Sequence, residues 1–183
     1  MRTRYLILIT VLFSMLAMRP AVQTRIIFFG DSITQAGVNK GGYIDRIQSA
    51  INSRSLQQEF ELMGAGIGGN KVYDLFLRMD DDVLAKNPQL VVIYVGINDV
   101  WHKTTHGTGT DPDKFEKFYT AIIKKMQARN IKVAICTPSV IGELKNNGNP
   151  QDTDLNSYSD IIRRLAVAHQ CTLFDLRKGF EKY

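Results

Sequence analysis

Ser32 follows four large apolar residues, Ile26, Ile27, Phe28 and Phe29, and then the pair Gly30-Asp31. Such a run reads as a strand buried on both faces, the habit of a central parallel strand. Glycine permits a sharp turn, and the serine after it is lifted toward the crevice at the carboxyl ends of an open α/β sheet. That is where a nucleophile belongs. Acyl transfer through a serine also needs donors for the negative charge that develops on the carbonyl oxygen. Gly66 follows a second strand and Asn98 a third, so both fall at the same sheet edge as Ser32. A bare glycine N–H and a neutral asparagine amide, with the amide of Ser32 itself, would make three donors. Each residue also has a plain local reading. Asp31 or Ser32 serves as a helix N-cap, Asn98 as a turn residue and Gly66 as a helix-entry glycine.

The elements that would position these groups alternate strand and helix. Glu59 to Met63 is a short strand that runs into Gly64-Ala-Gly-Ile-Gly-Gly69. A helix from about Lys71 to Ala85 follows, with Val72, Leu75, Met79 and Val83 facing inward. Leu90 to Val95 is the strongest strand, β-branched and apolar, stopping at Gly96-Ile97-Asn98-Asp99. Lys103 to Asp111 reads as a polar loop, and Asp111-Pro112-Asp113 opens a long helix with Phe115, Phe118, Ile122 and Met126 as its core stripe. Ile131 to Cys136 and Cys171 to Phe174 supply strands four and five, separated by a helix bearing Leu155, Tyr158, Ile162 and Leu165. Ile141 to Asn149 has room for a short helix, and Asp175 opens the last one. The expectation is an α/β fold of three layers, a five-stranded parallel sheet in the order 2-1-3-4-5 with helices on both faces, flavodoxin-like.

The motifs in order resemble those of the SGNH (GDSL) hydrolases, a family of serine esterases and lipases. GDSIT matches the first block, GAGIGGNKVYDLFLR the second and Gly96-Ile-Asn98-Asp99 the third. The resemblance spans Arg25 to Tyr183 and implies Ser32 as nucleophile with Gly66 and Asn98 in the oxyanion hole. It also implies a fourth block, Asp-x-x-His, after the fifth strand and its following helix. The sequence as given stops inside that helix, so the domain is expected to be truncated and to lack its last helix. Apolar surface is then expected near strands one and two. Asp99-Val100-Trp101-His102 has the Asp-x-x-His spacing, but Asp99 belongs to the third block, and His102 is read with Trp101, Asp31 and Asp99 as lining the substrate pocket. His106 falls in the polar loop. His169 lies at the opposite strand ends.

The first 22 residues are read separately. Arg2 and Arg4 precede an apolar run from Tyr5 to Met18, the pattern of a signal peptide or, with Arg19-Pro20 blurring the cleavage site, an N-terminal anchor. Residues 23–183 then form one domain, exported to the periplasm or secreted, with no stable membrane insertion after cleavage. Net charge is +5, and without Arg2, Arg4 and Arg19 there remain 20 basic against 18 acidic residues, scattered without a basic stripe. Nucleic acid is not an expected partner. Cys136 and Cys171 are expected to be unpaired core thiols, since strands of one sheet seldom offer disulfide geometry. No metal and no cofactor are expected. The expected activity is that of a serine esterase on small acyl esters such as acetylated carbohydrates. Two other classes stay open: a catalytically dead relative that binds carbohydrate, and a nucleotide-binding module, because Gly64, Gly66 and Gly69 spell G-x-G-x-x-G between a strand and a helix.

Overall fold

A computed structural model of the chain describes residues 23–181. The expected signal or anchor segment lies outside them. Five strands, β1 (Thr24–Gly30), β2 (Phe60–Gly66), β3 (Leu90–Tyr94), β4 (Lys132–Cys136) and β5 (Thr172–Phe174), form one parallel sheet in the order β2-β1-β3-β4-β5. Its helices are α1 (Ser32–Gly37), α2 (Tyr43–Ser53), α3 (Val72–Asp82), α4 (Ile97–Thr105), α5 (Pro112–Gln127), α6 (Asp152–Ala168) and α7 (Leu176–Phe180). None of the described helices is long and apolar enough to cross a membrane.

Alternation along the strands sorts the core into two layers. Ile27, Phe29, Val91, Ile93 and Ile135 pack on the side of α3, α5 and α6, all essentially inaccessible to water. Phe28, Val92, Tyr94, Ala134 and Cys136 face the other side with Ile44 of α2. That second layer is thin. Between α2 and α7 it leaves an apolar groove of about 530 Å³ over Phe28, Val92, Ala134 and Phe174. The bare surface therefore lies over β1, β3, β4 and β5: the expectation holds for β1 and fails for β2, which α2 covers.

Three other expectations change. The segment read as leading into a polar loop after Gly96 is helical through Thr105, and the loop starts only at His106. Residues 141–149 form turns and no helix. Cys171 precedes β5 and is half-buried, whereas Cys136 is buried in β4; both are free thiols.

Register decides what meets at the carboxyl edge. Gly30 pairs with Gly66 on one side and with Tyr94 on the other, so β1, β2 and β3 end level. Whatever follows each strand must share one crevice.

Candidate active site

The turn out of β1 is held by Asp31. Its carboxylate accepts the Ile33 amide at 2.9 Å, and its carbonyl accepts Gln35 N at 2.9 Å. Asp31 is thus the N-cap of α1, which settles the local reading in its favour. Ser32 is the first residue of the helix and is exposed, while Asp31 beneath it is 1 % exposed. Burial pushes the Asp31 carboxyl up to about 6, against the pull of the Ile33 amide. Among the described residues no hydrogen bond reaches the Ser32 hydroxyl or its amide.

At the end of β3 the chain reverses through Gly96, whose φ of +133° is open to glycine and costly for other residues. Asn98 then enters α4 with its side chain turned inward, 3 % exposed. Asn98 Nδ2 donates to the carbonyl of Asn70 at 3.1 Å. An amide nitrogen carries two hydrogens, so one remains for another acceptor. Asp99 is fully buried and accepts the Val72 amide through both oxygens, at 3.2 and 3.3 Å. Burial raises its carboxyl to about 7, opposed in part by the Val72 amide.

That contact bears on nucleotide binding. A dinucleotide phosphate would sit at the N-terminus of α3, after the glycines. In this chain the carboxylate of Asp99 occupies that place.

Gly66 lies where β2 meets the first turn of α1. A Cβ there would fall 2.1 Å from Gln35 N and 2.7 Å from the Asp31 carbonyl oxygen, both backbone. Close packing alone therefore requires glycine at this position. The amides of Gly68 and Gly69, in the turn that follows, make no hydrogen bond among the described residues. A Cβ on Gly68 would stand 4.0 Å from the Ser32 Cβ, and one on Gly69 3.7 Å from His102 Cε1. The turn thus runs between Ser32 and α4 and ends at Asn70, the residue that holds Asn98.

Sequence reasoning did not single out Gly68, Asn70 or Arg78 for the acyl-transfer site, and named Gly69 only as part of the nucleotide-binding pattern. All four lie inside the second motif stretch, and Arg78 carried a usable signal, a charge three residues from buried Leu75 and next to buried Met79. The remaining expected residues fall around the crevice. Trp101 is 44 % exposed and its ring centroid stands 5.8 Å from that of His102, which in turn lies 4.4 Å from His106. Partial burial, with His106 and Lys71 nearby, lowers the His102 pKa. No hydrogen bond joins His102 to Ser32 or Asn98 among the described residues. His169 caps the far end of α6, where its carbonyl accepts Gln127 Nε2 at 2.7 Å. The described residues hold no group of His, Cys, Asp and Glu suited to a metal ion.

Residues 28–183 match the model of the GDSL-like lipase/acylhydrolase family. The chain is 23% identical over 173 residues to the acetylxylan esterase of Geobacillus stearothermophilus, spanning 86% of this chain and 78% of that protein. It is 26% identical over 176 residues to the uncharacterized lipoprotein YqeF of Bacillus subtilis (strain 168), spanning 85% of this chain and 71% of the relative. Among solved structures, the acetyl xylan esterase AlAXEase superposes with a TM-score of 0.86 at 61% identity, covering 87% of this chain and 80% of that one. LAE5, an alpha/beta hydrolase enzyme from the metagenome of Lake Arreo, Spain, gives 0.80 at 27% identity, over 89% of this chain and 81% of its own.

Proposed function

The chain belongs to the GDSL-like lipase/acylhydrolase family, a family of carboxylic ester hydrolases, and from that premise we propose that it removes acetyl groups from acetylated carbohydrate through an acyl-enzyme on Ser32. The observation that carries the reading is Asn98. Its amide is buried and fixed by one hydrogen on the Asn70 carbonyl, which leaves the other hydrogen to meet an oxyanion. A donor held in place before the reaction costs no reorganisation during it.

The reaction runs in two halves. Ser32 Oγ attacks the acyl carbon and loses its proton to a base, and the tetrahedral oxyanion forms against the Ser32 amide, Asn98 Nδ2 and the glycine turn Gly66–Gly69. Within that turn, Gly68 and Gly69 offer amides unpaired among the described residues, and Gly66 sets their distance from α1. The sugar hydroxyl then leaves with the proton, and water repeats the sequence on the acyl-enzyme. The family resemblance implies that the base is a histidine in a block after β5, and these 183 residues have none there. Exposed Trp101, one turn beyond Asn98, offers a flat face to a sugar ring. An acetylated carbohydrate also fits the two acetylxylan esterases among the relatives and the exported location expected from residues 1–22.

One observation favours a second reading, carbohydrate binding without turnover: among the described residues no imidazole is hydrogen-bonded to Ser32. Acetate release from acetylated xylooligosaccharides, with Ser32→Ala as control, separates the two. Release that depends on Ser32 supports the esterase. Calorimetric binding with no release, in a chain that carries the fourth block, would overturn it.

A further inference from the structure

The second motif stretch ends on a charge that the acyl transfer does not use. Arg78 lies on the inward side of α3, its side chain 15 % exposed. A guanidinium so placed must meet its donors with acceptors or lose hydration for nothing. Here it makes four hydrogen bonds. Nε donates to Asn70 Oδ1 at 2.7 Å and Nη1 to Asp82 at 2.7 Å, while Nη2 donates to the carbonyls of Gly30 at 2.8 Å and Ala65 at 3.0 Å. Its plane rests on the Phe29 ring at 4.6 Å.

Three of these acceptors frame the crevice. The Gly30 carbonyl ends β1, two residues before Ser32. The Ala65 carbonyl belongs to the peptide unit whose N–H is that of Gly66, and it opens the glycine turn. In a planar trans peptide the carbonyl and the N–H point in opposite directions, so fixing one aims the other. Asn70 closes the turn, and its own carbonyl is the acceptor for Asn98 Nδ2. One rigid fork therefore ties together the strand end that carries Ser32, both ends of the glycine turn and, through Asn70, the asparagine. A lysine ammonium keeps the charge but cannot reach the same acceptors with fixed planar geometry.

From this geometry we propose that Arg78 is the positioning residue of the oxyanion hole. It touches no substrate and sets the distances among the donors that do. The proposal rests on the acyl-transfer reading of Ser32 and Asn98.

The test compares wild type, Arg78→Lys, Asn98→Ala and the double variant in a full-length chain that carries the fourth block, with two readouts. The first is steady-state hydrolysis of p-nitrophenyl acetate. Arg78→Lys is expected to lower kcat about ten- to a hundredfold with KM within about twofold, the cost of a displaced donor. Added to Asn98→Ala, it should lower kcat by clearly less than its own factor, because the Asn98 donor is part of what the clamp positions and is already gone. The second readout is the ¹H–¹⁵N spectrum, in which the Asn98 side-chain amide and the Gly68 and Gly69 amides should shift or broaden in Arg78→Lys while core strand amides stay. Unmoved signals, or two kcat losses that simply multiply, overturn the proposal. A wild type without turnover bears on the acyl-transfer reading alone, and the spectrum then decides the role of Arg78. Should Arg78→Lys fail to fold, Asn70→Ala removes only the Nε acceptor and carries the same readouts.

Discussion

Asn98 Nδ2 donates to the carbonyl of Asn70, so the third motif of the chain is hydrogen-bonded to the end of the second. The bond orients an amide that would otherwise swing about χ2. Asn98→Ala should therefore lower kcat about 10²- to 10³-fold, the usual cost of one oxyanion donor, with a smaller effect on KM. Stopped-time acetate release from an acetylated xylooligosaccharide checks it in a chain that turns over. A loss confined to KM would mean that Asn98 binds the ground state only.

Gly66 and Gly68 stand two residues apart and should behave oppositely. A Cβ on Gly66 meets backbone at 2.1 and 2.7 Å, where nothing flexible can give way. Gly66→Ala should cost several kcal/mol, in the range of overpacking in a well-packed core, and show as a large fall in Tm. At Gly68 the nearest atom is Gln35 Oε1, the mobile end of a side chain, at 3.2 Å, with the Ser32 Cβ at 4.0 Å. Gly68→Ala should leave Tm almost unchanged while slowing Ser32 labelling by a fluorophosphonate. Equal Tm losses in the two variants would contradict this division.

The sheet was legible because β1 and β3 are buried on both faces, and a run such as Ile26 to Phe29 fits nothing else of that length. Strand order followed, since the two most apolar strands belong at the centre. The helix Ile97–Thr105 was hidden because Val100 is its only fully buried apolar residue, so no stripe marks it. Its start is set by the backbone of Gly96, which hydropathy does not report. The position of the apolar groove was only half legible, for a different reason. Which strands a helix covers depends on where its crossover lands, and α2 lands on β2, reaching β1 only where Tyr43 meets Phe28. Ser32 and Asn98 were readable as strand-end residues of the right chemistry. The Arg78 clamp was not, because two of its four acceptors are backbone carbonyls that any sequence provides.

Asp31 and Asp99 make stability depend on pH in an unusual direction. Both carboxyls are raised from 3.8, to about 6 and about 7, chiefly by burial. The folded state thus binds protons more tightly than the unfolded chain, so their contribution is full below the unfolded value and is lost as pH rises through the folded values. Asp152, buried yet held down by Arg177 and Asn149, and Asp175, held down by Arg163, act only below the usual carboxylate range. Between about pH 4 and 7 stability should therefore fall by a few kcal/mol, since each tenfold gain in proton affinity on folding is worth about 1.4 kcal/mol. Denaturant midpoints across that range measure it. Asp99→Asn should flatten the slope, and an unchanged slope in that variant would place the titration elsewhere.

Trp101 tests the carbohydrate side of the reading. It lies one helical turn past Asn98, exposed, with His102 beside it. Trp101→Ala should raise KM for acetylated xylooligosaccharide several-fold, in line with about 1 kcal/mol for a lost aromatic contact, and leave p-nitrophenyl acetate almost unaffected. A parallel loss on both substrates would assign Trp101 to packing.

What Ser32 can do within these 183 residues depends on a base. A serine hydroxyl is a poor nucleophile near neutral pH unless a base takes its proton, and no imidazole is hydrogen-bonded to Ser32 among the described residues. Oxyanion donors alone stabilise a transition state that an unactivated serine seldom reaches. Enzymes of this logic that lack one triad member retain roughly 10³ to 10⁴ over water, orders of magnitude below the intact triad. The 183-residue chain should accordingly hydrolyse p-nitrophenyl acetate only slowly, and Ser32→Ala should change that rate only slightly. In a chain extended by a block that supplies the base, Ser32→Ala should abolish turnover. Among the described residues the local rival is His102, whose pKa is lowered by partial burial and which lies close to Gly69. Fast hydrolysis by the 183-residue chain that disappears in His102→Ala would show that this histidine reaches Ser32 during turnover and is the working base.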